Sequence, residues 1–210
     1  MAAVELSGIF KSFGQHIVFE NLNYSFEQGS FSAITGDSGK GKSTLLNIIG
    51  LLESPDKGDL IINSARNPKI NSKSAVLLQR NIIGYLFQNY ALVDDMTVSQ
   101  NLDIALKYQK KTKDKKQVKQ QALDHVGLEG KLNSKIYELS GGEQQRIAVA
   151  RLMLKPCEII LADEPTGSLD AHNKEKVMSL LESLWKAGKT IIIATHDDYV
   201  ISKCDQLLVL

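Results

Sequence analysis

A glycine-rich segment near residue 40 has the residue types and the spacing needed to bind phosphate. The segment consists of Gly36, Asp37, Ser38, Gly39, Lys40, Gly41, Lys42 and Ser43. Glycine, four residues, then glycine, lysine and serine is the spacing of a P-loop. The glycines let successive backbone N–H groups turn inward at the positive end of a following helix, which begins around Thr44. We expect Lys42 to contact the β- and γ-phosphates of a nucleotide and the Ser43 hydroxyl to hold Mg²⁺.

Two neighbouring carboxylates, Asp163 and Glu164, follow an apolar run at residues 159–162. The carboxyl ends of the strands of an open α/β sheet form the edge at which such sheets bind ligands. We therefore expect Asp163 to hold Mg²⁺ through a coordinated water and Glu164 to polarise an attacking water as general base. An Asp-Glu pair after a strand more often caps a helix, but the P-loop earlier in the chain favours the catalytic interpretation.

A second glycine turn lies about a hundred residues after the first, in the sequence LSGGEQ at residues 139–144. Ser140, Gly141 and Gly142 place bare backbone at a predicted helix start, which again favours an anion. The sextet resembles the signature motif of ABC (ATP-binding cassette) ATPases. The resemblance implies that this motif, including Glu143, contacts ATP held by the P-loop of a second subunit. It therefore predicts an ATP-dependent, head-to-tail homodimer in which both sites are complete.

Four further residues match the same family in the expected order. Gln88 resembles the Q-loop glutamine, which touches Mg²⁺ or the attacking water, and Asp170 belongs to a segment that resembles the D-loop at the dimer interface. His196 resembles the switch histidine that contacts the γ-phosphate and helps to align Glu164, although a histidine after a strand is usually structural. Phe13 matches the aromatic residue that stacks on adenine, although it could equally belong to the core.

The elements that must position these residues alternate between two kinds. Short apolar or β-branched runs predict strands at residues 4–9, 31–35, 82–87, 159–162, 190–194 and 206–210. Helical spacing predicts helices at 171–187, ended by Gly188, and at 143–155, capped by Ser140 and stopped by Pro156. Two or three helices are predicted between residues 89 and 126, one capped by Thr97 and one ended by Gly127. This alternation indicates an α/β domain with a helical insert.

The resemblance to ABC ATPases predicts the fold in more detail. It implies one P-loop NTPase domain over residues 1–210, with a mixed, mainly parallel core sheet and an N-terminal antiparallel β subdomain. The RecA-like core and the β subdomain are expected at about 1–88 and 151–210, and the helical subdomain at about 89–150.

Composition excludes several classes of protein. A chain of 210 residues with a formal net charge of +1 can bury a large core, and it has no overall field that would attract nucleic acid. We therefore expect no nucleic-acid partner. Cys157 and Cys204 lack the spacing of a zinc or redox site, so both are expected to be reduced. The N-terminus lacks a signal sequence and no apolar run is long enough to span a membrane, so a membrane role requires a partner.

The exact residues of these motifs, including ADEPTGSLD at residues 162–170, resemble the branch of the family that serves macrolide and antimicrobial-peptide exporters and lipoprotein-releasing systems. The end of the chain at Leu210 points within it to bacteriocin-export ATPases. The implied function is Mg-dependent ATP hydrolysis that powers a separate transmembrane permease from the cytoplasmic face of the membrane. Alternatives are the ATPase of a mechanical-relay or lipoprotein-releasing complex and a non-transport ABC protein.

Two lysine features stand outside these assignments. Lys40 stands where the family usually has a small residue, and it could strengthen nucleotide binding or point to solvent. Residues 107–119 contain seven lysines, which we interpret as a solvated helix face and loop, with an acidic partner or lipid headgroups as the alternative.

Overall fold

The protein is described by a computed structural model that covers residues 1–107 and 114–210. Its contacts divide the chain into two compact units. The first unit contains Met1–Tyr85, Cys157–Glu164 and Trp185–Leu210, and the second contains Leu86–Pro156 and Pro165–Leu184. Within the described ranges, no helix combines the length and the hydropathy needed to cross a bilayer. The subdomain boundaries expected from the sequence stay a prediction.

Strands and helices are interspersed along the chain, with three strands at the start and three successive α-helices between the sixth strand and the seventh. The strands are β1 (Ala2–Phe13), β2 (His16–Glu27), β3 (Phe31–Thr35), β4 (Lys57–Ile62), β5 (Ala65–Arg66), β6 (Ile83–Leu86), β7 (Ile159–Asp163), β8 (Thr190–Ala194) and β9 (Gln206–Val209). The helices are α1 (Lys42–Ile49), α2 (Lys73–Asn81), α3 (Val98–Leu106), α4 (Lys115–His125), α5 (Gly141–Met153), α6 (Ala171–Lys186) and α7 (Asp198–Ile201).

Two sheets organise the strands. A four-stranded sheet has the order β2-β1-β4-β5 with antiparallel neighbours, which confirms the N-terminal antiparallel subdomain. A five-stranded sheet has the order β6-β7-β8-β3-β9, and its pairs β7–β8, β8–β3 and β3–β9 are parallel. The central strands β3, β7 and β8 are almost entirely buried, as expected of parallel strands covered on both faces.

The register of the parallel strands brings their carboxyl ends to one edge. Ala33 of β3 and Ala162 of β7 both pair with Ile193 of β8. The segments that follow β3, β7 and β8 therefore leave the sheet side by side. These segments are the P-loop, the Asp-Glu pair and the histidine predicted from the sequence.

The core of the first unit forms where α1 packs on this sheet. Leu45, Leu46, Ile48 and Ile49 of α1 belong to the same buried cluster as Ile34 of β3. Because these side chains are fully buried, the start of α1, and with it the P-loop, is held firmly against the sheet edge.

The second unit has a helical core of its own. Buried residues of α3, α4 and α5, such as Leu102, Leu123 and Ile147, form one cluster. Thr97 caps α3 with a reciprocal Gln100 contact, Gly127 follows α4 with a φ of 66°, and Ser140 caps α5, as predicted. The α5 helix begins at Gly141 rather than at residue 143, because Ser140 bonds the third amide of the helix.

The lysine-rich segment is only partly described. Lys110, Lys111 and Lys113 lie outside the described residues. Lys107, Lys115 and Lys116 are exposed, which agrees with a solvated surface. Lys119 is buried instead, with Nζ 2.6 Å from Ser99 Oγ and 2.9 Å from Asp103 Oδ1. That lysine therefore ties α4 to α3.

Candidate functional site

The P-loop connects the end of β3 to the start of α1. Gly41 precedes the helix with a φ of 94°, in the left-handed region that L side chains rarely adopt. A Cβ at this position would also clash with Val18 Cγ1 and would lie 2.9 Å from Phe19 Cζ. Gly41 is therefore required both by its backbone conformation and by the close approach of β2.

The lysine of the P-loop contacts the loop's own backbone. Lys42 Nζ donates to the carbonyl oxygens of Gly36 at 2.7 Å and Asp37 at 3.1 Å. These bonds hold the ammonium group over the turn, where it can meet an anion bound by the loop amides. Lys40, by contrast, is exposed, so its side chain lies toward solvent.

The two residues predicted to hold Mg²⁺ are in contact. Ser43 Oγ donates to Asp163 Oδ1 at 2.9 Å, which joins positions 120 residues apart. Burial is the main reason that the pKa of Asp163 lies above its usual value; the charge of Glu164 adds to the shift, while Ser43 and Lys42 oppose it. A hydroxyl and a carboxylate are oxygen ligands of the kind Mg²⁺ prefers, with water and phosphate oxygens completing its shell. Residues 1–107 and 114–210 contain no larger cluster of His, Cys, Asp or Glu that could hold a metal.

Glu164 is held in an unusual backbone conformation. Its φ is 42°, in the left-handed region, and its N–H donates to the Ala194 carbonyl at 2.9 Å. Such a conformation in a residue other than glycine persists where surrounding contacts enforce it. The hydrogen bond to β8 turns the Glu164 side chain toward the segment that follows that strand.

Both oxygens of the Glu164 carboxylate have partners after β8. His196 Nδ1 lies 2.7 Å from Oε1, and Thr195 Oγ1 lies 3.1 Å from Oε2. A carboxylate can only accept, so both partners donate. The His196 side chain is 73% exposed while that of Glu164 is 14% exposed, so the histidine covers the carboxylate from the solvent side. The predicted pairing of Glu164 with His196 is thus present, and their roles stay predictions.

Thr195 was not identified from the sequence. It is fully buried, and its Oγ1 accepts from the Asp197 N–H at 3.1 Å. That bond leaves the hydroxyl proton free to point at Glu164. A threonine at the end of a buried strand carries no special signal, and only its position next to His196 could have suggested a role.

The signature segment forms an N-terminal capping box on α5 in the second unit. Ser140 Oγ accepts from Glu143 N–H at 3.3 Å, and Glu143 Oε2 accepts from Ser140 N–H at 2.9 Å. The backbone bond from Ser140 is the main cause of a pKa below the usual value for Glu143, with Lys131 contributing further. Glu143 thus has a structural partner, and its contact with nucleotide stays a prediction.

A hydrogen-bonded chain links this signature helix to Asp170 within the same unit. Arg146 Nη1 donates to Asn173 Oδ1 at 2.6 Å, and Asn173 Nδ2 donates to Asp170 Oδ2 at 2.6 Å. A Cβ at Gly142 would lie only 2.6 Å from Asn173 Cγ. Asn173 was not identified from the sequence, because its partner Arg146 lies 27 residues earlier in the chain.

The remaining candidates lie in separate parts of the chain. Phe13, at the end of β1 in the first unit, has 51% of its surface exposed, so it is not a core residue. Gln88 is exposed and belongs to the second unit, as does Asp170.

A family model described as "ABC transporter" matches residues 19–167. A macrolide export ATP-binding/permease protein MacB of Shewanella sp. (strain W3-18-1) is 39% identical over 212 residues, which cover 99% of this chain and 33% of the relative. A MacB protein of Campylobacter jejuni subsp. jejuni (strain 81-176) is 37% identical over 204 residues, covering 97% of this chain and 32% of the relative. The chain thus spans about a third of the length of these curated relatives.

Solved structures match over nearly the whole chain. MJ0796, described as a dimeric bacterial ABC transporter cassette, has a TM-score of 0.89 and 34% identity, covering 99% of this chain and 94% of the match. The same values hold for MJ0796 in a dimeric post-hydrolysis state bound to ADP and Pi.

Proposed function

Because the chain belongs to the ABC transporter family, we propose that it binds and hydrolyses ATP to power a membrane transporter. One observation carries this proposal: Ser43 with Asp163, and Glu164 with His196, meet at the carboxyl edge of one parallel sheet. The first pair suits the phosphates and their metal, and the second suits an attacking water. The MJ0796 structure that contains ADP and Pi supports the same activity for a cassette of this shape.

The P-loop would bind the triphosphate through its backbone N–H groups and Lys42. Lys42 already holds its ammonium group against the carbonyls of Gly36 and Asp37, so little reordering is needed. Ser43 and Asp163 would hold Mg²⁺, which neutralises phosphate charge when bound. Gln88 is the further proposed ligand or water contact, and Phe13 would stack its exposed ring on adenine.

Hydrolysis would use Glu164 as the general base for water. Thr195 and His196 donate to its two carboxylate oxygens and so limit the rotation of the side chain. A positioned base contributes about 10² to 10⁴ in rate, and the fixed donors around the γ-phosphate contribute by stabilising charge. His196 is exposed enough to contact the phosphate as well as Glu164.

The complete site would form between two copies of the chain arranged head to tail. Residues 140–143 form the N-terminus of α5, where the amides of Gly141 and Gly142 can bind phosphate and those of Ser140 and Glu143 bond within the capping box. We propose that they bind the ATP held by the partner's P-loop, with Asp170 close to the interface. The description of MJ0796 as a dimeric cassette supports this arrangement.

The transporter partner is proposed to be a transmembrane permease, with the cassette on the cytoplasmic face of the membrane. The MacB relatives support this choice, since each is described as an ATP-binding/permease protein for macrolide export. We propose export of a peptide, bacteriocin or other antimicrobial as the task.

Light scattering of the Glu164→Gln variant with and without MgATP tests the proposal. The variant keeps the P-loop and the signature, so MgATP should shift it from monomer to dimer while turnover nearly disappears. Glu164→Gln combined with Lys42→Ala is the matched control and should stay monomeric. Rapid ATP hydrolysis by Glu164→Gln would contradict the role of Glu164, and a monomer that has bound ATP would contradict the head-to-tail dimer.

A further inference from the structure

Lys11 in β1 is a buried cation to which the proposed mechanism assigns no role. The residue is 5% exposed. Its Nζ donates to Glu53 Oε1 at 2.7 Å, Ser54 O at 2.9 Å and Asp56 Oδ1 at 3.4 Å. Three acceptors match the three hydrogens of the ammonium group, as a buried charge requires.

The charge of Lys11 persists at neutral pH. Burial acts to lower the pKa of Lys11, but the hydrogen bonds and charges of Glu53, and then of Asp56, outweigh it, so the pKa lies above its usual value. The same Asp56 accepts from Ser12 N–H at 2.8 Å and from Ser12 Oγ at 3.1 Å. One acidic loop therefore fixes both residues that precede Phe13.

The fixed cation lies against the Phe13 ring. Lys11 Nζ is 4.8 Å from the ring centroid, within the distance of a cation–π contact. Because Lys11 covers one face while half of the Phe13 surface remains exposed, the ring presents its other face for a planar ligand. A cation on one face draws π density toward itself, which makes the opposite face a better partner for an electron-rich ring.

The same stretch of the hairpin approaches the P-loop. Lys11 pairs with Phe19 of β2, and the Phe19 ring packs against Gly41. The face of Phe13 opposite Lys11 therefore belongs to the hairpin that packs against the P-loop. A nucleotide whose phosphates bind the P-loop can place its base on this face.

We propose that Lys11 is a positioning residue for the nucleotide base, which holds and polarises Phe13 so that its free face stacks on adenine. This inference rests on the proposed function, in which Phe13 contacts the base of ATP. It predicts that the charge of Lys11 affects binding of the base and not binding of the phosphates.

A double-mutant cycle tests the proposal by calorimetry on the Glu164→Gln background, which prevents turnover. The cycle combines Lys11→Met with Phe13→Ala, and the ligands are MgATP and the magnesium complex of inorganic triphosphate. Lys11→Met should weaken ATP binding about 2- to 30-fold, the range of a cation–π contact, and leave triphosphate affinity unchanged. It should cause no further loss when Phe13 is already alanine, and Lys11→Arg should restore most of the ATP affinity.

Lys57→Met is the matched control, because Lys57 Nζ lies 5.6 Å from the ring of Phe10 in the same sheet. It should leave ATP affinity unchanged. If Lys11→Met alone does not fold, the same variant with Glu53→Gln and Asp56→Asn removes the unpaired carboxylates and takes its place in the cycle.

The role of Lys11 would be overturned if Lys11→Met weakened the binding of ATP and of triphosphate equally. It would also be overturned if Lys11→Met weakened ATP binding as much in the Phe13→Ala background as in the parent. Unchanged ATP binding in Lys11→Met would do the same. If Phe13→Ala itself binds ATP normally, stacking by Phe13 is wrong, and the inference about Lys11 is overturned with it. The proposed ATPase function itself would be refuted by a different result, namely the absence of ATP binding in the background protein.

Discussion

Gly142→Ala provides a test of how the signature helix is packed. Gly142 is the second residue of α5 and has an ordinary helical conformation, so glycine is not required by its backbone. An ideal Cβ there would lie 2.6 Å from Asn173 Cγ, 2.7 Å from Oδ1 and 2.9 Å from Nδ2. Contacts this short cannot persist, so the Asn173 side chain or the helix must move.

The Asn173 side chain has little freedom to move. Its Oδ1 accepts from Arg146 at 2.6 Å and its Nδ2 donates to Asp170 at 2.6 Å. Overpacking of this kind costs about 1–3 kcal/mol, and each lost hydrogen bond about 1 kcal/mol more. Alanine regains about 0.5–1 kcal/mol through its higher helix propensity. We expect Gly142→Ala to lower the free energy of unfolding by about 1–3 kcal/mol.

Urea unfolding of Gly142→Ala, Asn173→Ala and the double variant would check this value. When Asn173 is alanine, the clash disappears, so Gly142→Ala should be neutral or slightly stabilising. Gly141→Ala is the neighbouring control, because a Cβ there would meet only the Tyr90 hydroxyl at 3.4 Å. A Gly142→Ala protein as stable as the parent, or an equal loss in the Asn173→Ala background, would refute the steric explanation.

Three further predictions follow from the first unit. Lys42→Ala should weaken ATP binding about 10- to 150-fold by calorimetry, as expected for a lost hydrogen bond to a charged group, and an unchanged affinity would contradict the P-loop assignment. Thr195→Val should lower kcat about 10-fold with little change in KM, because Glu164 loses one donor; Thr195→Ser should restore the rate, and equal rates for valine and serine would contradict the positioning role. Burial raises the pKa of Cys204 to about 12 from 9.0, so its thiolate is about 10³-fold scarcer at pH 8. Alkylation of the folded protein should therefore be slow at pH 8 and accelerate up to that pKa, and labelling as fast as that of a free thiol would contradict this burial.

Several features could be predicted from short stretches of sequence. The P-loop and the helix cap at Ser140 depend on the backbone of neighbouring residues, so a short stretch of sequence is enough to predict them. The strands β3, β7 and β8 were equally clear, because burial on both faces requires uninterrupted apolar runs.

Elements that bury few of their residues left a weak signal in the sequence. In β2, an edge strand in which only Phe19 and Phe26 are buried, regular alternation is confined to residues 22–27, where every second residue is partly or fully buried and its neighbours are exposed. The helix α2 buries only Ala75 and Leu78, while its other two apolar residues are exposed. The resemblance to ABC ATPases predicted the antiparallel sheet that residue patterns alone did not resolve.

The sequence by itself determined which chemical groups the site contains and which backbone segments bind phosphate, since both are properties of short segments. Only the tertiary structure showed that Ser43 bonds Asp163, that Thr195 donates to Glu164, and that the Lys11 ammonium, bonded to Glu53 and Asp56, lies over the Phe13 ring. The first two contacts depend on strand order and register, and the third on how the loop at Glu53 folds under the hairpin. Strand order, register and loop packing arise from burial summed over the whole core, so no local stretch of residues encodes them.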